Sequence, residues 1–199
     1  SRILIENGRV IDPGQSLDRV THLLIEDGRI AALDAHPDAS AERIDAAGRI
    51  VAPGLIDLGT ELREPGHEED ETIYTGTAAA LAGGYTTVAC LPGDSQGTVE
   101  FVQHQAERAA HCHVVVVACV SKNREGKELS EIGQLVQAGA VAFSDGDAPV
   151  ANAELMRRAF QYCLMFDKPI LSHAEVKELT AGGVMHDGLQ AYPAAVAAL

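Results

Sequence analysis

Apolar and polar positions alternate in two rhythms along the chain, and the change falls near residue 52. Before it the apolar runs are short: Ile3-Leu4-Ile5, Val10-Ile11, Leu23-Leu24-Ile25 and Ile30-Ala31-Ala32-Leu33. The segments Ile5-Glu6-Asn7-Gly8-Arg9-Val10 and Ile25-Glu26-Asp27-Gly28-Arg29-Ile30 repeat one strand–turn–strand pattern. Asn-Gly and Asp-Gly adopt the positive φ angles of a tight hairpin turn. Residues 1–52 are therefore expected to form a small N-terminal β-sandwich lobe.

Beyond it, apolar strand-like runs alternate with helical stretches. The expected strands are Pro53–Leu58, Thr86–Leu91, Val114–Val120, Ala140–Phe143 and Pro169–Leu171. The expected helices are Asp70–Ala82, Val99–Ala110, Leu129–Ala138 and Ala153–Phe166. Gly83-Gly84 suits a helix C-terminus, and Asn152 with Glu154 behind it suits an N-terminus. Continuous apolar strands separated by helices imply a parallel sheet covered on both faces. The fold class is α/β: a β-sandwich lobe, then a partial TIM-type (β/α) barrel over residues 53–199. A closed eight-stranded barrel takes about 250 residues, so this one is incomplete.

Composition narrows the function. Acidic residues outnumber basic ones 29 to 15, for a formal net charge of −14. That excludes broad binding to a nucleic-acid backbone, which takes a basic face. Hydrophobic residues make up 46%, enough for a core, with aromatics at 4% and no Trp. There is no run of about 18 apolar residues and no basic-then-apolar leader pattern. Cys90, Cys112, Cys119 and Cys163 lack CxxC spacing and sit in or beside apolar runs, as buried thiols do. A cytoplasmic protein is expected, with neither nucleic acid nor membrane as partner.

In parallel α/β domains, functional groups collect past the C-terminal ends of the strands. After the first strand comes Asp57-Leu58-Gly59-Thr60-Glu61-Leu62-Arg63-Glu64-Pro65-Gly66, which reads as a site or as a solvated loop. After the fourth comes Phe143-Ser144-Asp145-Gly146-Asp147, which suits a metal or an Asx turn. After the fifth comes Ser172-His173-Ala174-Glu175, where His173 suits a metal ligand or a structural histidine. His67, His104, His111 and His113 read as loop or helix-surface residues, and Lys122 as a structural loop residue.

Val51-Ala52-Pro53-Gly54-Leu55-Ile56-Asp57, followed by Leu62-Arg63-Glu64-Pro65-Gly66, resembles the first barrel strand of dihydroorotases, in the amidohydrolase superfamily of metal-dependent cyclic amide hydrolases. Ala82-Gly83-Gly84-Tyr85-Thr86-Thr87-Val88 is similar to the second strand. Ser121-Lys122, Gly126-Lys127-Glu128-Leu129, Gly139–Asp145 and His173-Ala174-Glu175 continue in order, and the resemblance runs from about residue 2 to 190. It implies a dihydroorotase-like protein of pyrimidine biosynthesis. The family reaction is the reversible hydrolysis of dihydroorotate to carbamoyl-aspartate. Bound zinc supplies hydroxide and polarises the amide, and a carboxylate shuttles the proton.

Carried over residue by residue, the motifs depart at ligand and substrate positions. The first strand of the family ends in Asp-x-His-x-His-x-Arg; here Gly59 stands at the first His and Glu61 at the second. Arg63 keeps the place that grips the substrate carboxylate, work its planar fork suits. Pro92-Gly93-Asp94 replaces Pro-Asn-Thr, so the substrate-holding Asn is lost. Asp145-Gly146-Asp147 stands where the family has Asp-Asp-Gly, which puts Gly146 at a ligand. His173 keeps its match. The remaining ligands and the catalytic Asp lie on later strands, and Leu189-Gln190-Ala191-Tyr192-Pro193 is compressed relative to the family.

The resemblance therefore implies zinc for the family, with a weak set of Glu61, Asp147 and His173 left here. Arg63 remains for substrate, and the catalytic residues stay open. Inactivity of this chain as written is expected. The alternative is a non-catalytic homologue acting as structural partner of aspartate transcarbamoylase. A half barrel leaves strand edges unpaired, so a homo-oligomer or further sequence is expected.

Overall fold

In the computed structural model the chain divides into two compact units, Ser1–Gly54 and a second beginning at Leu55. Residues 1–35, 40–91, 93 and 95–183 are described. Pro92, Asp94 and the expected compressed stretch at 189–193 lie outside them.

The first unit contains β1 (Arg2–Asp12), β2 (Leu17–Glu26), β3 (Arg29–Leu33), β4 (Glu42–Asp45) and β5 (Ile50–Val51). The order is β3-β2-β1-β4, with β5 also paired to β1. β2 is antiparallel to both β1 and β3, while β4 and β5 run parallel to β1. The described residues thus make one mixed sheet, where a sandwich has two facing sheets. Asp27-Gly28 turns β2 into β3 with φ of 47° and 76°, as the pattern predicts. Asn7-Gly8 does not turn the chain. β1 runs through it, with a bulge between Ile5 and Gly8 against β2. Burial of alternate residues Leu4, Glu6, Gly8 and Val10 continues across the bulge. A Cβ at Gly8 would lie 2.6 Å from Val51 Cγ2, so glycine here serves the close approach of β5. Buried Glu6 is held by Arg43 through two bonds of 2.7 and 2.8 Å, which keeps its carboxyl below the usual range.

The second unit alternates strands and helices: β6 (Leu55–Thr60), α1 (Ile73–Ala82), β7 (Tyr85–Cys90), α2 (Gln96–Ala109), β8 (His113–Ala118), α3 (Ile132–Gln137), β9 (Ala140–Phe143) and α4 (Ala153–Met165). The strands form a parallel sheet in the order β6-β7-β8-β9. The expected strand at Pro169–Leu171 is present as one parallel bridge, Ile170 to Phe143. It is flanked by Phe143 N–H to Pro169 O at 3.0 Å and Leu171 N–H to Phe143 O at 2.8 Å. Side-chain caps set the helix starts. Thr72 and Thr75 form a reciprocal capping box on α1, Ser95 caps α2, and Asn152 accepts from the Glu154 and Leu155 amides on α4.

The helices cover one face of this sheet, correcting the expectation of cover on both. Val88, Cys90, Val116, Ala118 and Phe143 pack against Ile73, Val99, Val102, Leu135, Leu155 and Cys163. Alternate residues Ala89, Val117 and Ala142 form a smaller cluster on the other face with Leu91, Val115 and Leu171, all from strands and loops. The period-two alternation separates the two sets. The strands end together at Thr60, Cys90, Ala118 and Phe143, which brings the loops after them to one rim.

Candidate functional site

At that rim a recess of about 420 Å³ is lined by Gly59, Glu61, Leu91, Gly146, Asp147 and His173, among others. A neighbouring recess of about 320 Å³ shares Glu61 and Leu91 and adds Arg63, His67, Cys90, Gly93 and Arg124. The parallel register therefore brings the residues singled out after the first, fourth and fifth strands to one place. Two larger recesses, of about 530 and 770 Å³, lie elsewhere. One is lined mainly by α3, α4 and the loop before α3; the other holds His111, Cys112 and His113, where His111 bonds Thr77 at 3.1 Å and stacks edge-on against Tyr74.

Glu61 is held between two guanidinium groups. Arg63 Nη1 lies 3.0 Å from Oε2, and Arg124 Nη1 lies 3.7 Å from Oε1. Both arginines sit in the left-handed region, with φ of 57° and 56°. Arg124 reaches the rim from a turn after β8, pinned by a Ser121–Leu129 bridge and by bonds from the Arg124 amide to Ser121 O and the Glu125 amide to Lys122 O. Its Nη2 donates to Leu91 O at 2.7 Å. Burial opposes its charge, but the Cys119 side chain, Glu61 and Asp145 outweigh that and hold its pKa above the ordinary value.

The other motif carboxylates divide by role. Asp145, only 4% exposed, accepts from the Val120 and Ser121 amides at 2.8 and 2.9 Å and from the Ser121 hydroxyl. It ties the end of β9 to the end of β8. Glu64 accepts from the Ile73 amide at 2.7 Å and so caps α1. Asp57 accepts from the Gly59 amide at 3.0 Å. Asp147 is exposed on the rim. His173 Nε2 faces Glu175 Oε2 at 3.4 Å. The Thr180 hydroxyl, then His173, hold the Glu175 carboxyl below its usual range.

Glu61, Asp147 and His173 thus line one recess without converging as ligands: Glu61 turns to the arginines and His173 to Glu175. Among the described residues no three His, Cys, Asp or Glu side chains are arranged to hold a metal ion. Arg63 is likewise engaged by Glu61 within its own strand end. Lys122 pairs with Glu128 at 2.6 Å and Glu131 at 3.6 Å, a structural role in its loop. The sequence reading missed Arg124. A single basic residue in the polar turn Asn123-Arg124-Glu125-Gly126 carries no signal until the fold turns it toward Glu61.

The family model for dihydro-orotase-like proteins matches residues 48–193, most of the chain. This chain belongs to the dihydro-orotase-like family. It is 46% identical over 196 residues to a dihydroorotase of Syntrophotalea carbinolica, covering 96% of this chain and 46% of that protein. It is 46% identical over 195 residues to a dihydroorotase of Syntrophus aciditrophicus, covering 94% and 46% respectively. The chain therefore spans just under half the length of these curated relatives. Among solved structures, an L-hydantoinase from Arthrobacter aurescens superposes with a TM-score of 0.73 at 22% identity, over 98% of this chain and 46% of that one. That likeness places the second unit among TIM-barrel-type folds.

The residues at the rim do not fit the zinc of a dihydroorotase. A catalytic zinc takes about three protein ligands with one position open. Gly59 and Gly146 offer no donor atom, and the Glu61 carboxylate is already neutralised by two cations.

Proposed function

We propose that this protein is a dihydroorotase-like member of the pyrimidine biosynthesis family whose barrel scaffold does not itself hydrolyse dihydroorotate. One observation carries the reading: at the common rim, two ligand positions are glycine and the third, Glu61, is ion-paired with Arg63 and Arg124. No hydroxide-forming centre follows from such a set. Around it, Asp145, Glu64 and the Ser121 turn keep their hydrogen bonds.

A scaffold without a catalytic centre would suit a role in assembly, and the second reading is a structural partner of aspartate transcarbamoylase.

The test is a dihydroorotate turnover assay on the full-length protein with added zinc, beside co-purification from its own cells. The expected result is no turnover above background. Turnover together with one tightly held zinc per chain overturns the proposal. A transcarbamoylase that co-purifies in stoichiometric amount supports the assembly role, and its absence removes it.

A further inference from the structure

The recess at the three altered ligand positions is bordered by Leu91, and Arg124 stands beside two of the three. A Cβ at position 59 would meet Leu91 Cδ1 at 3.9 Å, and one at position 146 would meet Leu91 Cδ2 at 4.0 Å and Arg124 Nη1 at 3.4 Å. At position 61, the Glu61 carboxylate faces the same Nη1 at 3.7 Å. Leu91 also anchors the arginine, because its carbonyl accepts from Arg124 Nη2 at 2.7 Å. Gly59 and Gly146 thus border one apolar side chain, and Glu61 and Gly146 border one fixed cation. The backbone is bent to place that cation. Asn123 and Arg124 are successive non-glycine residues at φ of 53° and 56°, a strained arrangement that the bonds of the 121–129 turn must offset.

We infer that the Arg124 guanidinium is a built-in replacement for the metal: standing beside positions 61 and 146, with Leu91 bordering 59 and 146, it places a fixed cation at two of the three altered ligand positions and bars zinc from this side of the rim. The inference rests on the metal-free reading above and extends it. Loss of ligands alone leaves an empty pocket that restored ligands refill. A resident cation also repels a divalent ion, and it captures any carboxylate put back beside it. An aspartate restored at position 146 would start within ion-pair reach of Arg124. Gly146 borders Arg124, and its own φ of +68° favours glycine.

Two variants of the full-length protein separate these cases. The first carries Gly59→His, Glu61→His and Gly146→Asp; the second adds Arg124→Met. Zinc alone is the probe, read as metal per chain after dialysis and as affinity by chelator competition. The second variant is expected to hold zinc at least ~10-fold more tightly than the first, since removing a like charge a few ångströms away favours the ion. Equal affinity in both overturns this inference and leaves the metal-free reading standing. Stoichiometric zinc in the unsubstituted protein overturns that reading instead. If neither variant holds zinc, a double-mutant cycle of Glu61→Gln and Arg124→Met on the urea midpoint decides. Non-additive effects support a cation held for Glu61, and additive effects overturn it.

Discussion

The Asp145 carboxylate, buried at the end of β9, accepts three hydrogen bonds from the chain leaving β8. Its neighbours in the motif, Gly146 and Asp147, face the recess. One short sequence therefore holds a structural carboxylate beside a position that has lost its donor. Sequence alone leaves the Asx-turn and ligand readings of this motif open, because both need a carboxylate near a glycine. Burial separates them. Asp145→Ala leaves two buried amides without an acceptor and is expected to cost about 3 kcal/mol, with Asp145→Asn milder because its oxygen still accepts. Urea denaturation of the two variants checks the order.

Elements follow the sequence pattern where local chemistry sets them. Thr72, Ser95 and Asn152 are visible caps, and the helices begin directly after them. The pattern misleads where a tertiary neighbour decides. Asn7-Gly8 has turn chemistry, yet the approach of Val51 makes it a bulge inside β1. In α4, Glu154 bonds both Arg157 and Arg158, at 2.8 to 3.0 Å, and these bonds lower its pKa from about 4.5 to about 2. A depressed carboxylate stabilises the folded state above its unfolded pKa, and that contribution disappears as pH falls through the folded value. Wild-type stability is therefore expected to fall between pH 4.5 and 2 partly through Glu154. Glu154→Gln should be less stable at neutral pH and show a shallower slope in that window, measured by thermal melts across pH.

At the scale of the whole molecule, the parallel order β6-β7-β8-β9 within the second unit brings distant loops to one rim. A ligand that binds the folded state at 100 times its Kd stabilises it by about 2.7 kcal/mol. Excess zinc is therefore expected to leave the melting temperature of the full-length protein unchanged, where an ordinary dihydroorotase site would raise it. A clear zinc-dependent rise, abolished by His173→Ala, would show that His173 belongs to a working ligand set and would overturn the metal-free reading.

The sequence by itself determined the alternation of strands and helices, the strand-end positions where chemistry belongs, and the departures at Gly59, Glu61 and Gly146. Each is written locally, in apolar periodicity, caps and motif spacing. Only the tertiary structure decided which side chains border the positions of those departures. Glu61, Leu91, Arg124 and Gly146 come from four separate loops, and a parallel sheet sets them side by side only after every strand has found its register. An ion pair between residues so far apart in the chain has no periodicity to betray it.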